Sequence, residues 1–128
     1  MDYLIEKKTH SDIKCVKKLI EEILPSIKDI IHPDTFFNTK LILNELMINS
    51  VIHGNCEDLN KMIYIKICIN KSRIIIEVSD EGSGICYTHK NFGEYDLMES
   101  GRGLMLVEGL ADKLNIDGNR VTCIQYLK

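Results

Sequence analysis

Met62-Ile-Tyr-Ile-Lys-Ile-Cys-Ile69, then Asn70-Lys-Ser72, then Arg73-Ile-Ile-Ile-Glu-Val-Ser79 is the stretch on which the fold turns. Both outer runs are rich in β-branched residues, and the middle is a short polar turn, so the segment reads as a β-hairpin. Strands joined this tightly must be antiparallel, because a parallel pair needs a crossover of a dozen residues or more. A doubly wound parallel sheet is therefore disfavoured.

Working outward, residues 2–9 can form a first, edge strand. Ser11 or Asp12 can cap a helix running to about Leu24, with Ile13, Val16, Leu19, Ile20 and Ile23 on its apolar face. Pro25 is expected to end that helix or to follow its end closely, and residues 26–31 fit no single pattern. Pro33 suits the first turn of a second helix, which continues to about His53 and stops at Gly54-Asn55. Downstream of the hairpin, residues 85–100 show no clear period and read as a long loop. Leu104 to Lys113 has helical spacing, and residues 114–117 and 120–127 are short strands around the Asp117-Gly118-Asn119 turn. The order β-α-α-β-β-loop-α-β-β implies an α/β sandwich of two layers.

The sequence has 128 residues, which suits a single domain over 1–128. Its net charge of −3 gives no bulk attraction to nucleic acid or to anionic lipid. The uncharged runs are too short to span a bilayer, and the first residues, Met-Asp-Tyr-Leu-Ile-Glu-Lys-Lys, lack a signal-peptide core. A cytoplasmic location is expected. The five cysteines, Cys15, Cys56, Cys68, Cys86 and Cys123, include no CxxC pair, which disfavours a disulfide framework or a structural zinc site. His10, His32, His53 and His89 form no paired metal-ligand pattern.

Three short motifs carry chemistry. Leu41 to Gly54 is mostly apolar and holds one acid, Glu45. Glu45 and Asn49 are four residues apart, so they share a helical face. Such a pair can set a proton acceptor beside a metal ligand, and it fits a solvated stripe as well. Asp80-Glu81-Gly82-Ser83-Gly84-Ile85 follows the hairpin directly. Its glycines let backbone approach a ligand closely, and a carboxylate at Asp80 accepts hydrogen bonds, which suits an exocyclic amine such as adenine N6. The same residues also make an ordinary strand-ending turn. Gly101-Arg102-Gly103-Leu104 opens a helix, where unpaired N–H groups and the helix dipole attract phosphate. Neither box matches the P-loop or Rossmann pattern.

The joint order is more specific than its parts. Glu-x-x-x-Asn on a helix, Asp-x-Gly-x-Gly after a strand, and Gly-x-Gly before a helix together resemble the GHKL ATPase superfamily. Glu45 and Asn49 match its N box, Asp80, Gly82 and Gly84 its first glycine box, and Gly101 and Gly103 its second. Within it, Leu-Ile-Leu-Asn-Glu-Leu-Met-Ile-Asn-Ser-Val-Ile-His-Gly and Glu-Ser-Gly-Arg-Gly-Leu-Met-Leu-Val-Glu-Gly-Leu are similar to the bacterial anti-sigma-factor serine/threonine kinases.

That resemblance implies a left-handed Bergerat-type sandwich, with helices on one face of a mixed, mostly antiparallel sheet. It implies ATP and Mg²⁺ as cofactors, a sigma factor and a small anti-anti-sigma protein as partners, and a homodimer. Glu45 would be the general base, Asn49 the Mg²⁺ ligand and Asp80 the reader of adenine. His53, Gly54, Ile85, Arg102 and Leu104 would complete the nucleotide site, with Thr122 near the adenine and residues 85–100 as the ATP lid. Glu99 and Ser100 stand where some members carry a basic residue before the second glycine box, and Arg102 is the available substitute. The domain is expected to stand alone, without a phospho-acceptor histidine helix. Lys14, Lys17 and Lys18 on the first helix suit an acidic sigma segment, or serve as a solvated face. The rival function is a nucleotide-gated protein-binding regulator with little or no kinase activity, in which Glu45 is only structural. Another is a phosphatase or kinase regulator.

Overall fold

The structure is a computed structural model that describes residues 2–54, 58–82 and 101–127, without the side chains of residues 53, 54 and 101–104. The described strands are β1 (Tyr3–His10), β2 (Met62–Ile69), β3 (Arg73–Ser79), β4 (Lys113–Asp117) and β5 (Arg120–Tyr126). The described helices are α1 (Ile13–Lys28), α2 (Pro33–Asn49) and α3 (Gly101–Leu110), with a π-helical turn at Ser50–Gly54 directly after α2. The strands form one sheet in the order β1-β2-β3-β5-β4. This is the expected α+β architecture, and the sheet is antiparallel at every described pairing rather than mixed.

Register explains how one sheet serves two environments. Ile5 pairs with Ile67, Ile67 with Ile76, and Ile76 with Cys123. All four are buried, and with Ile63, Ile74 and Val78 they form the row that the helices cover. The neighbouring row runs Glu6, Lys66, Glu77, Thr122 and Asn115 across all five described strands. Side chains alternate between faces along a strand, so this second row lies on the face away from the helices. There Arg120 Nε meets Glu77 Oε1 at 2.9 Å. A solvated ion pair of this kind contributes little energy; the inward isoleucines specify the register, since a one-residue slip would turn them all out to solvent.

Helix α1 buries Val16, Leu19, Ile20, Ile23 and Ile27 and exposes Lys14, Lys17 and Lys18. It does not stop at Pro25 but continues to Lys28. Pro25 is exposed, so the Glu21 carbonyl that loses its N–H partner can turn to water. The extra turn buries Ile27 completely, worth about 1.5–3 kcal/mol. The Ser26 hydroxyl, which donates to the Ile23 carbonyl, supports the same turn. Asp12 stands at the N-cap position without a capping bond to backbone; its carboxylate instead accepts from the Cys15 thiol.

Helix α2 begins as the sequence suggests. His32 Nδ1 accepts from the Asp34 N–H at 3.1 Å, and Pro33 takes the first helical position. At its middle, the buried Thr39 hydroxyl shares its one proton between the Thr35 carbonyl at 2.7 Å and Oε1 of the buried Gln125 at 2.9 Å, which links α2 to β5. Helix α3 starts three residues before the expected Leu104 and ends at Leu110 rather than Lys113. The reason lies in the sheet: the Asp112 N–H donates to the Ile124 carbonyl at 2.9 Å, which draws the chain into β4. Among the described residues, no helix is long and apolar enough to cross a membrane.

Candidate functional site

Helix α2 packs against β3, α1 and α3, so its C-terminal half is held from several sides. Leu43, Leu46 and Met47 are buried and fix the rotation of the helix. That rotation leaves Glu45 half-buried and Asn49 6% exposed at the last α-helical position. Glu45 and Asn49 are one turn apart, about 6 Å along the axis. Beyond Asn49 the helix widens into its π turn, which turns Val51 into the core and Ile52 to the surface. Such turns recur at functional sites because they reset which residues face a cleft. The sequence expectation of one helix to about His53 thus holds for the path of the chain but not for its winding. His53 and Gly54 lie in the π turn, and their side chains are outside the described residues.

Asp80 follows β3 and continues the inward alternation of Ile74, Ile76 and Val78. It is 3% exposed, although it carries a carboxylate. Burial of a charged group requires specific partners. Asp80 Oδ1 accepts from the Gly82 N–H at 2.9 Å, closing a tight turn at the end of the strand. The next residue, Glu81, accepts from the Met62 N–H and ties the turn to the start of β2. On the other flank, the Asp80 N–H donates to the Asn119 carbonyl at 3.0 Å, and the Asn119 side-chain amide donates to the Asp80 carbonyl.

Thr122 does not join this group. It pairs with Glu77 on β3 and Asn115 on β4, in the row that faces away from the helices, whereas Asp80 continues the inward row. The residue of the β4–β5 hairpin that reaches Asp80 is Asn119, next to Gly118 at φ +61°. The Asp117-Gly118-Asn119 turn is evident from its residues, but its registration against the end of β3 depends on the partner strand. Gly101, Arg102, Gly103 and Leu104 form the first turn of α3, as a phosphate-binding helix start requires; their side chains are outside the described residues. Gly84, Ile85 and the segment 85–100 also lie outside them.

The donor set suits a magnesium nucleotide. A neutral amide oxygen, as on Asn49, is a hard oxygen ligand, and Mg²⁺ takes few protein ligands when phosphates complete its shell. A carboxylate such as Asp80 accepts only, so it favours an amino group over a carbonyl at the same place. A half-buried carboxylate one turn from the amide can take a proton.

The histidine kinase-like ATPase domain family matches residues 14–126. An anti-sigma F factor of Anoxybacillus flavithermus is 27% identical over 108 residues, covering 73% of this chain and 71% of the relative. An anti-sigma F factor of a Geobacillus species is 28% identical over 106 residues, covering 74% and 69%. The serine-protein kinase RsbW of Staphylococcus aureus is 31% identical over 110 residues, covering 74% and 68%. With the motif order, the antiparallel sheet under its helices and the family match over nearly its whole length, this chain belongs to the histidine kinase-like ATPase domain family.

Proposed function

We propose that this protein is an ATP-dependent serine/threonine protein kinase and anti-sigma factor, which holds a sigma factor and phosphorylates a small anti-anti-sigma protein. One observation carries the reading: Asp80 is a nearly fully buried carboxylate at the end of β3, on the side of the sheet covered by the helix that bears Glu45 and Asn49. The names of the relatives, anti-sigma F factor and serine-protein kinase, support a sigma-factor partner and the reaction class.

In this reading Asp80 accepts from the exocyclic amine of adenine. Asn49 offers its amide oxygen to Mg²⁺. Gly82, Gly84 and Ile85, with the Gly101–Leu104 turn and His53-Gly54, line the nucleotide. Bound ATP supplies the γ-phosphoryl group, and Mg²⁺ offsets its charge. Glu45 would orient the acceptor hydroxyl and take its proton as the new oxygen–phosphorus bond forms, while the bond from the γ-phosphorus to the β–γ bridging oxygen breaks and ADP leaves. Such chemistry asks the protein for positioning and electrostatics more than for covalent participation. The protein works in the cytoplasm as a homodimer.

The test is transfer of labelled phosphate from ATP to a purified anti-anti-sigma protein. Wild type should label a Ser or Thr of that protein. Glu45→Ala should retain ATP binding and lose a factor of about 10² to 10⁴ in transfer. Asn49→Ala should lose Mg²⁺-nucleotide binding itself. Transfer by Glu45→Ala at the wild-type rate would reduce Glu45 to a structural acid.

A further inference from the structure

Asp80 stands one residue beyond the last rung of the β3–β5 ladder, which pairs Ser79 with Arg120. Strand ends fray where the ladder stops, yet Asp80 is the residue whose position matters for reading a base. Two hydrogen bonds from a single neighbour extend the ladder past its end. The Asp80 N–H reaches the Asn119 carbonyl, a bond that any residue at 119 can offer. The Asp80 carbonyl takes the Asn119 side-chain amide, a bond that needs a side-chain donor at that place.

We propose that Asn119 is a positioning residue of the nucleotide site, holding the Asp80 main chain so that its carboxylate meets the adenine base at one fixed place. The inference rests on the assignment of Asp80 as the adenine reader. Its logic is mechanical. Asp80 Oδ1 is bonded to the Gly82 N–H two residues on, so the carboxylate is oriented relative to its own main chain. Where that main chain sits then decides where the carboxylate sits. Glu81 fixes it to the start of β2 on one flank, and Asn119 fixes it to the β4–β5 turn on the other. Asn119 is half-buried, which strengthens the bond relative to one in open water. Gly118, at φ +61°, lets the turn present Asn119 in this direction. A residue acting this way affects recognition of the base and leaves the phosphate end untouched.

The experiment is titration calorimetry of the full chain with Mg-ATP and, separately, with magnesium tripolyphosphate, which has no base. Wild type is compared with Asn119→Asp, Asn119→Ala and Gly118→Ala. Asn119→Asp keeps the size and turn preference but replaces the donor with an acceptor facing the Asp80 carbonyl. We expect both Asn119 variants to weaken Mg-ATP by about tenfold, as loss of a partly buried hydrogen bond that positions the base reader would, and to change tripolyphosphate affinity less than about twofold. Gly118→Ala strains the turn without removing the amide. It should lower the thermal midpoint while keeping the ratio of ATP to tripolyphosphate affinity. Wild-type ATP affinity in either folded Asn119 variant overturns the inference alone. So does a parallel loss of ATP and tripolyphosphate binding, since that marks a structural role. Failure of the wild-type protein to bind ATP overturns the reading of Asp80 and the inference with it.

Discussion

The Thr39 hydroxyl and Gln125 Oε1 lie 2.9 Å apart in the core, with Thr39 fully buried and Gln125 5% exposed. This bond joins the middle of α2 to β5, and α2 is the helix that carries Glu45 and Asn49. Thr39→Val keeps the shape and removes the hydroxyl, leaving the Gln125 amide oxygen buried without that partner. The expected cost is about 1–3 kcal/mol in urea unfolding, with an unchanged slope. Thr39→Val combined with Gln125→Met should cost less than the sum of the two single changes, because the pair is then removed together.

The two faces of the sheet should respond differently to truncation. Ile67 is fully buried and Leu4 is 58% exposed on the opposite face. Ile67→Ala should destabilise by about 2–5 kcal/mol, through lost burial and the cavity left behind. Leu4→Ala should stay within about 0.5 kcal/mol. Thermal and denaturant unfolding of the two variants side by side would measure the difference.

Cys123 gives a pH signature. Burial pushes its thiol from 9.0 up to about 12, and the negative charge of Asp112 adds to the rise. The folded chain therefore keeps a proton that the unfolded chain releases above 9.0. This contribution is fully present below pH 9 and is lost as the pH climbs towards 12. Denaturant midpoints should fall across that window, and Cys123→Ala should show a shallower fall. Cys123 should also resist alkylation at pH 8 until the protein unfolds, because the thiolate is the reactive form. At Cys15, the hydrogen bond to the Asp12 carboxylate likewise raises the thiol, so mapped alkylation there should be slow too.

Most of the architecture was legible because it rests on local pattern. The period-2 isoleucines of 62–79, the amphipathic spacing of α1 and the His32-Pro33 start of α2 each carry their meaning within a few residues. What was missed depends on contacts distant in sequence. Pro25 reads as a stop locally, and the burial of Ile27 against the core, with the Ser26 hydroxyl on the Ile23 carbonyl, carries the helix through it. Thr122 and Asn119 are three positions apart, and which of them meets Asp80 is decided by strand register, invisible without the partner strand. Gln125 reads as a surface residue until Thr39 is placed beside it. Of the site, the roles expected for Glu45, Asn49 and Asp80 came from motif order. The structure adds the partial burial of the first and the nearly complete burial of the other two.

The exposed Lys14, Lys17 and Lys18 on α1 are proposed to steer an acidic sigma-factor segment. Reversing all three charges should weaken sigma binding and flatten its dependence on salt. The change should fall mainly on the association rate, since exposed charges act through long-range attraction. Unchanged affinity and salt slope would make these lysines a solvated face.

In the proposed function, Asp80 selects adenine. The most direct measurement is calorimetric titration of the wild-type protein and Asp80→Asn with Mg-ATP and Mg-GTP. Wild type should bind ATP and discriminate strongly against GTP, whose base presents a carbonyl where adenine presents an amine. Asp80→Asn should lose most of the ATP affinity and with it the discrimination. Equal affinity of the wild-type protein for ATP and GTP, or an Asp80→Asn variant that binds ATP as wild type does, would contradict the account.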